Sequence, residues 1–394
     1  MSVGLGPSEV NHVTVDASAA KHRVSSCINC GKCTWGCPVS HKIGEFSPRK
    51  VVEEYLGSGN LPRDKGLWEC MTCGMCTELC SSGVKFHEFV REARPSLRNT
   101  LVPETTHSDV FRIIQNVSSL SYIKPRTNTW MTPDLRIDPD SSTLLFVGCT
   151  PYFDVVFKHM RNDLLEIPRS SIRLLNNMGI NPRLLEHERC CGHDAYWLGD
   201  EDAFRKLAEA NLRAIEATGA NEVVAFCPEC YTALKDLYPR YFGHLDFEVK
   251  SLTAMVGEAV KYQKISLCDS GRTLTYQDPC RLSRHSGIVQ EPRDILRGIG
   301  RLIDMPRSGV MSACCGTSCW VNCNASTKEW QMDRLKEAED TGADCLVTAC
   351  PKCLIHFSCA LYEHSSQNLG SMISISDIHV LALGGFRNPW TTGE

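Results

Sequence analysis

The chain has 394 residues, with Lys+Arg 42 against Asp+Glu 46 and a formal net charge of −4. That is long enough for two or three domains with real cores. A near-neutral balance without a dense basic run excludes a nucleic-acid surface, and 42% hydrophobic with 22% charged residues excludes a disordered chain. Cysteine is the outlier, at 23 residues. A secreted disulfide scaffold would be short and led by a signal peptide, whereas the first 24 residues here are polar with no apolar core. A reducing, cytoplasmic setting and metal ligation are therefore expected. The apolar stretch 346–362 is interrupted by Pro351, Lys352 and His356 and is too short to span a bilayer, so direct membrane insertion is not expected.

In chain order, the first signal is Cys27-x2-Cys30-x2-Cys33-x3-Cys37-Pro38, followed by Cys70-x2-Cys73-x2-Cys76-x3-Cys80. This is two-cluster ferredoxin spacing, in which the fourth cysteine of each run crosses to the other cluster. Cys27, Cys30, Cys33 and Cys80 are assigned to one cubane [4Fe–4S] cluster, and Cys70, Cys73, Cys76 and Cys37 to the second. Paired zinc sites are the alternative, since Cys-x2-Cys alone suits zinc; four cysteines at 2-2-3 spacing, twice, favour iron and sulfide. The interval from Cys37 to Cys70 carries Ser47-Pro48 and a helical composition over the next ten residues, which predicts a helical ferredoxin domain spanning 1–140. A polar stretch with Pro125, Pro133 and Pro139, ending at Asp140-Ser141-Ser142, marks its boundary.

Beyond it lies an internal repeat. A β-rich run starting at Thr143 ends at Cys149, and another starting at Thr273 ends at Cys280. Cys190-Cys191-Gly192 recurs as Cys314-Cys315-Gly316, and Cys227-Pro-Glu-Cys230 as Cys350-Pro-Lys-Cys353. Between these motifs lie helix-forming segments closed at Gly219 and Gly342 and short β-type runs at 222–226 and 345–348. The order predicts two duplicated α/β domains, at 141–265 and 266–394, with their cysteines gathered at one edge of each sheet. Each copy offers five cysteines, one more than an ordinary cubane takes. An enlarged or open iron–sulfur cluster would use all five; zinc or a redox disulfide are the other readings.

The pattern of Cys149, Cys190-Cys191-Gly192 and Cys227-Pro-x-Cys230, repeated at Cys280, Cys314-Cys315-Gly316 and Cys350-Pro-x-Cys353, resembles the cysteine-rich (CCG) domain of the B-type component of heterodisulfide reductase. The N-terminal motifs Cys27-Ile-Asn-Cys-Gly-Lys-Cys-Thr and Cys70-Met-Thr-Cys-Gly-Met-Cys-Thr are similar to the C-type component, so the whole chain has the fused layout of the D-type component. The resemblance implies that Cys149, Cys190, Cys191, Cys227 and Cys230 bind one noncubane [4Fe–4S] cluster, and that Cys280, Cys314, Cys315, Cys350 and Cys353 bind another. It also implies that a disulfide is split between the two, each cluster capturing one sulfur. Related glycolate oxidase subunits often lack part of one set, whereas both sets are complete here.

Five cysteines remain: Cys268, Cys319, Cys323, Cys345 and Cys359. Cys319 and Cys323 are spaced to share a helix face near the second set, although buried structural thiols are the plainer expectation. The bulky Trp320 stands where the family usually has small residues. His187, His193 and His285 are candidate proton donors, and Arg189, Arg281 and Arg284 candidate stabilisers of cluster charge; ordinary hydrogen-bonding and solvated roles compete with both. No Gly-x-Gly-x-x-Gly follows a predicted strand, so reducing equivalents are expected from a partner. The expected function is that of a heterodisulfide reductase-like oxidoreductase component in a hetero-oligomer. Its expected partners are a flavin-containing protein like the family's A-type component and subunits of hydrogenase, formate dehydrogenase or aryl-CoA reductase type. The alternative is a pure electron-transfer component of a larger anaerobic complex, such as a tungsten aryl-CoA reductase or a quinone-linked one.

Overall fold

The architecture comes from a computed structural model that describes residues 22–61, 66–97, 106–125, 128–160, 162–316, 318–321, 323–366 and 372–385. The polar first 21 residues and the C-terminal tail from 386 lie outside them. Before Thr143 the described residues form helices and no strand, as the helical ferredoxin reading requires. The predicted helix between the two cysteine runs is Pro48–Ser58: Ser47 accepts a hydrogen bond from the Lys50 N–H at 3.2 Å, Pro48 opens the first turn, and Gly59 at φ 73° closes the last. It buries Val51, Val52 and Tyr55 against helix Phe86–Leu97, with the Tyr55 and Phe89 rings 5.0 Å apart. Each such buried side chain contributes roughly 1.5–3 kcal/mol.

Two parallel sheets follow. The first orders β1 (Thr143–Phe146), β2 (Glu222–Ala225) and β3 (Glu248–Ser251) side by side, with Thr143 opposite Glu222 and Glu222 opposite Glu248. The second has β4 (Thr273–Gln277), β5 (Arg301–Leu302), β6 (Cys345–Thr348) and β7 (Ser374–Asp377) in the order β5-β4-β6-β7. The repeat is visible in the register: β1, β2 and β3 correspond to β4, β6 and β7. In the first unit an isolated parallel bridge, Leu144 to Arg183, takes the place of β5. Helices Glu201–Thr218 and Ala325–Glu339 make the crossovers that parallel strands need.

The two units exchange their last helices. Leu252–Lys261, which follows β3, packs on Gln290–Ile299 of the second unit, and Ile378–Gly384, which follows β7, packs on Glu166–Asn177 of the first. A side chain at Gly257 would place its Cβ 2.5 Å from the Glu291 carbonyl oxygen, so this crossing requires glycine. Thr253 and His379, one from each exchanged helix, are hydrogen-bonded at 3.0 Å in the buried seam. The segment before β1 is irregular, as its prolines suggest, but it is tied to the first unit: Asn176 accepts from the Arg136 N–H at 3.1 Å and donates to the Arg136 carbonyl at 2.8 Å.

Among the described residues no helix is long and apolar enough to cross a membrane.

Candidate metal centres

In the helical domain, the eight cysteines line two neighbouring cavities. One cavity is lined by Cys27, Cys30, Cys33 and Cys80 together with Cys76, and a neighbouring cavity by Cys37, Cys70, Cys73 and Cys76. Cys37 therefore lies with the second run. Backbone N–H groups point at sulfur: Asn29 to Cys27 at 3.4 Å, Thr72 to Cys70 at 3.4 Å, and Val84 to Cys80 at 3.3 Å. Asn29 and Thr72, each just before the second cysteine of its run, hold left-handed backbone at φ 57° and 45°. Such strain persists only where surrounding contacts enforce it, and Thr72 is gripped by Arg281, which donates to its carbonyl at 2.9 Å and to its hydroxyl at 2.8 Å.

The ten repeat cysteines stand at the carboxyl ends of the parallel strands, where open α/β sheets place their sites. Cys149 follows β1, Cys227 follows β2, Cys280 follows β4 and Cys350 follows β6. Cys149 and Cys227 also stand at the N-caps of short helices. The double cysteines sit on the loops between. Gly192 turns its chain at φ 77° and Gly316 at φ 96°; a Cβ on Gly192 would lie 2.9 Å from the Phe204 ring, and one on Gly316 3.1 Å from Gln331. The glycine of the motif is thus required by both backbone and space.

These thiols form one continuous line of contacts. Cys149 meets Cys190 at 3.0 Å; Cys190 meets Cys191, Cys191 meets Cys230, and Cys230 meets Cys227. Cys227 reaches across to Cys350, which meets Cys353; Cys353 meets Cys315, and Cys315 continues through Cys314 to Cys280. Cys314 also contacts Cys73 of the helical domain. None of the 23 cysteines forms a disulfide. The donor sets suit thiophilic metal. Burial pushes Cys37 up to about 11 and Cys70 up to about 12, whereas contact with Cys314 lowers Cys73 of the same set to about 5.

The loops are held by different polar groups in the two units. In the first, Glu188 accepts the N–H of Val147 at 3.0 Å and that of Gly148, while Asn211 accepts from the Arg189 N–H at 3.0 Å and donates to the Cys190 carbonyl at 3.1 Å. In the second, the fully buried Arg334 donates to Gln277 at 2.7 Å, and Gln277 donates to the Ala313 carbonyl at 2.8 Å.

The remaining candidates divide. Arg281 lies 4.2 Å over the Trp197 ring and Arg284 donates to the Cys73 carbonyl at 2.7 Å, so both brace the loop of the second cysteine run. Arg189 instead closes the end of helix Val110–Ser119 and its turn, donating to the carbonyls of Ser118, Leu120 and Ile123. His187 is half-buried on the Pro125 carbonyl at 2.9 Å. His193 is buried 3.2 Å from Asp194 and 3.5 Å from Glu229, and burial lowers its pKa to about 3. His285 packs on His87 and Trp197, with its pKa depressed well below the usual range, by burial first and then by Arg281.

Cys319 and Cys323 do not share a helix. Cys319 and Trp320 sit at φ 53° and 59°, held where Thr106 bonds the Trp320 carbonyl through both N–H and hydroxyl at 2.8 Å. Cys319 is buried and Cys323 exposed. The Trp320 ring stacks on Phe111 at 4.1 Å, packs on Phe153 and Phe157, and lies 5.2 Å from His356. Cys345 is within β6, and Cys359 lies 3.0 Å from the Lys328 ammonium.

Residues 143–235 and 274–358 match the family model described as a cysteine-rich domain, and residues 23–84 match the 4Fe-4S dicluster domain. The chain is 29% identical to the D component of dihydromethanophenazine:CoB--CoM heterodisulfide reductase of Methanosarcina acetivorans, over 84% of this chain and 87% of that one. It is 25% identical to EtfAB:quinone oxidoreductase of Syntrophomonas wolfei, over 84% of this chain and 54% of the relative. It is also 25% identical to the B component of fumarate reductase (CoM/CoB) of Methanothermobacter marburgensis, over 86% and 68%. A crystal structure of a hypothetical protein from Helicobacter pylori shares the fold, with a TM-score of 0.55 and 14% identity over 91% of this chain and 67% of that one. The chain is thus an iron–sulfur protein with a 4Fe-4S dicluster domain followed by two CCG domains, a layout in which it is similar to the D-type component of heterodisulfide reductase.

Proposed function

We propose that the chain is the disulfide-handling component of a larger redox complex, organised as domains 1–140, 141–265 and 266–394. Cys27, Cys30, Cys33 and Cys80 would hold one cubane [4Fe–4S] cluster, and Cys37, Cys70, Cys73 and Cys76 the other. The five-cysteine sets of the first repeat (Cys149, Cys190, Cys191, Cys227, Cys230) and second repeat (Cys280, Cys314, Cys315, Cys350, Cys353) would each hold a noncubane cluster. Bound there, the clusters supply one-electron carriers in the helical domain and, between the repeats, the cleavage of one disulfide by two electrons and two protons to two thiols, or the reverse.

The observation that supports this reading most is the meeting of two complete five-cysteine sets at Cys227 and Cys350. The chain's own residues do the rest. Arg281 and Arg284 fasten the loop of Cys70–Cys76 to the second repeat, which keeps Cys73 beside Cys314, and Trp320 with its aromatic neighbours keeps water from the adjacent interior. Electrons would come from a flavin-containing partner like the family's A-type component, or from further redox subunits, in the cytoplasm.

A second reading, an electron-transfer component with no disulfide of its own, is favoured by one feature: Trp320, 3% exposed, fills space beside the second set. The test is an anaerobic EPR titration of the iron-quantified protein with a panel of thiols and disulfides. A paramagnetic signal that appears only with a particular thiol or disulfide supports the first reading. Full iron with no such signal supports the second.

A further inference from the structure

The two Cys-Pro-x-Cys motifs differ at one position in a way that carries charge. The first copy has Glu229 there and the second has Lys352. The Lys352 ammonium stands 2.6 Å from the Glu229 carboxylate and 2.5 Å from that of Asp194, which lies just beyond Cys190-Cys191-Gly192. Side-chain exposures are 6% for Lys352, 8% for Asp194 and 15% for Glu229. One side chain of the second repeat therefore grips both cysteine-bearing turns of the first. His193, Asp194 and Glu229 together offer donors of metal-binding type, but the cationic position among them is already taken by the ammonium. The equivalent place after the second double cysteine holds Ser318 rather than an acid, so the arrangement runs in one direction only.

We infer that Lys352 is a positioning residue: its ammonium, held between Asp194 and Glu229, fixes the spacing of the two five-cysteine sets so that both can engage one disulfide. The inference rests on the disulfide reading above. The clamp sits close in sequence to Cys227 and Cys350, where the sets touch. A reaction that needs both sets at once loses rate steeply when reacting groups are misplaced by about 1 Å. A chain that merely passed electrons along would tolerate the same shift.

Replacing Lys352 alone leaves two buried carboxylates facing each other, which can prevent folding. The decisive variant is therefore the neutral triple Asp194→Asn, Glu229→Gln, Lys352→Met, compared with Lys352→Arg and with wild type, all iron-loaded and anaerobic. The readouts are iron per chain, the thiol- or disulfide-dependent EPR signal, and the split between kcat and KM. The triple variant is expected to keep wild-type iron, to lose the thiol-dependent signal at least tenfold, and to lower kcat with KM within about twofold; Lys352→Arg, which keeps the cation between the two carboxylates, is expected to retain part of both. A triple variant with signal and kcat within twofold of wild type overturns the inference. So does loss of iron from the repeats, which would make the clamp an assembly device. If wild type itself gives no thiol-dependent signal, the disulfide reading fails and the inference falls with it.

Discussion

Arg293 lies at the centre of a buried ion network that holds the second cysteine set. Its guanidinium donates to both oxygens of Asp278, at 2.7 and 2.9 Å, and to both oxygens of Asp304, at 3.3 and 2.8 Å. Asp278, 1% exposed, stands two residues before Cys280 and accepts the Gly309 N–H at 2.8 Å, anchoring the turn that leads into Cys314. Replacing Arg293 with Met removes the cation and leaves Asp278 buried and uncompensated. Breaking a buried pair in this way costs roughly 3–5 kcal/mol. The Asp304 arm, at 35% exposure, adds at most about 1 kcal/mol. At roughly 2–4 °C per kcal/mol for a unit of this size, the melting temperature should fall by on the order of 10 °C. Anaerobic thermal unfolding of the iron-loaded protein measures this, and iron analysis should register selective loss from the second set. A melting temperature within about 2 °C of wild type, with full iron, would show that the Arg293–Asp278 pair does not hold the second cysteine set.

Three further outcomes are expected. Gly192→Ala should destabilise by about 2 kcal/mol or more, because it adds the left-handed penalty to a clash with Phe204; Gly219→Ala, at φ 69° with open space, should cost only about 1 kcal/mol in chemical denaturation. Trp320→Ala should cost roughly 3–5 kcal/mol from lost packing, and Trp320→Gly should be the more stable of the two by about 1 kcal/mol because it relieves the positive φ; the reverse order would contradict the strain. Burial depresses His87 from 6.5 to about 4. Its neutral folded form therefore contributes full stability above pH 6.5, and that contribution is lost as the pH falls toward 4. Between pH 7 and 5.5 the loss should be about 1 kcal/mol, and His87→Gln should flatten it in denaturant titrations at the two pH values.

Much of this was legible in the sequence because covalent spacing encodes it. The 2-2-3 cysteine runs, the duplicated double cysteines and the strand–cysteine order all survive into the fold. What was not legible depends on tertiary contact. β5 is two residues long and its counterpart is a single bridge at Arg183, too short for any periodicity. The exchange of helices Leu252–Lys261 and Ile378–Gly384 depends on which amphipathic face finds which partner. The helix expected around Cys319 and Cys323 failed because bonds from Thr106 to the Trp320 carbonyl and stacking on Phe111 hold that segment in left-handed backbone. Arg189, Arg281 and Arg284 looked alike as cations near cysteines, yet one closes a helix and two brace the neighbouring domain. The Glu229–Lys352 pair was visible as opposite charges at matching motif positions, a signal that only the packing of the repeats makes meaningful.

Metal analysis of purified protein decides whether eighteen cysteines hold four iron–sulfur clusters. Iron, acid-labile sulfide and zinc should be quantified anaerobically in wild type and in the Cys314→Ser, Cys315→Ser double variant. About four iron and four sulfide are expected for each of the four cysteine sets, with the variant losing about one set's share and retaining the cubane signals. Zinc in place of iron, or a variant that keeps the full complement, would contradict the four-cluster content.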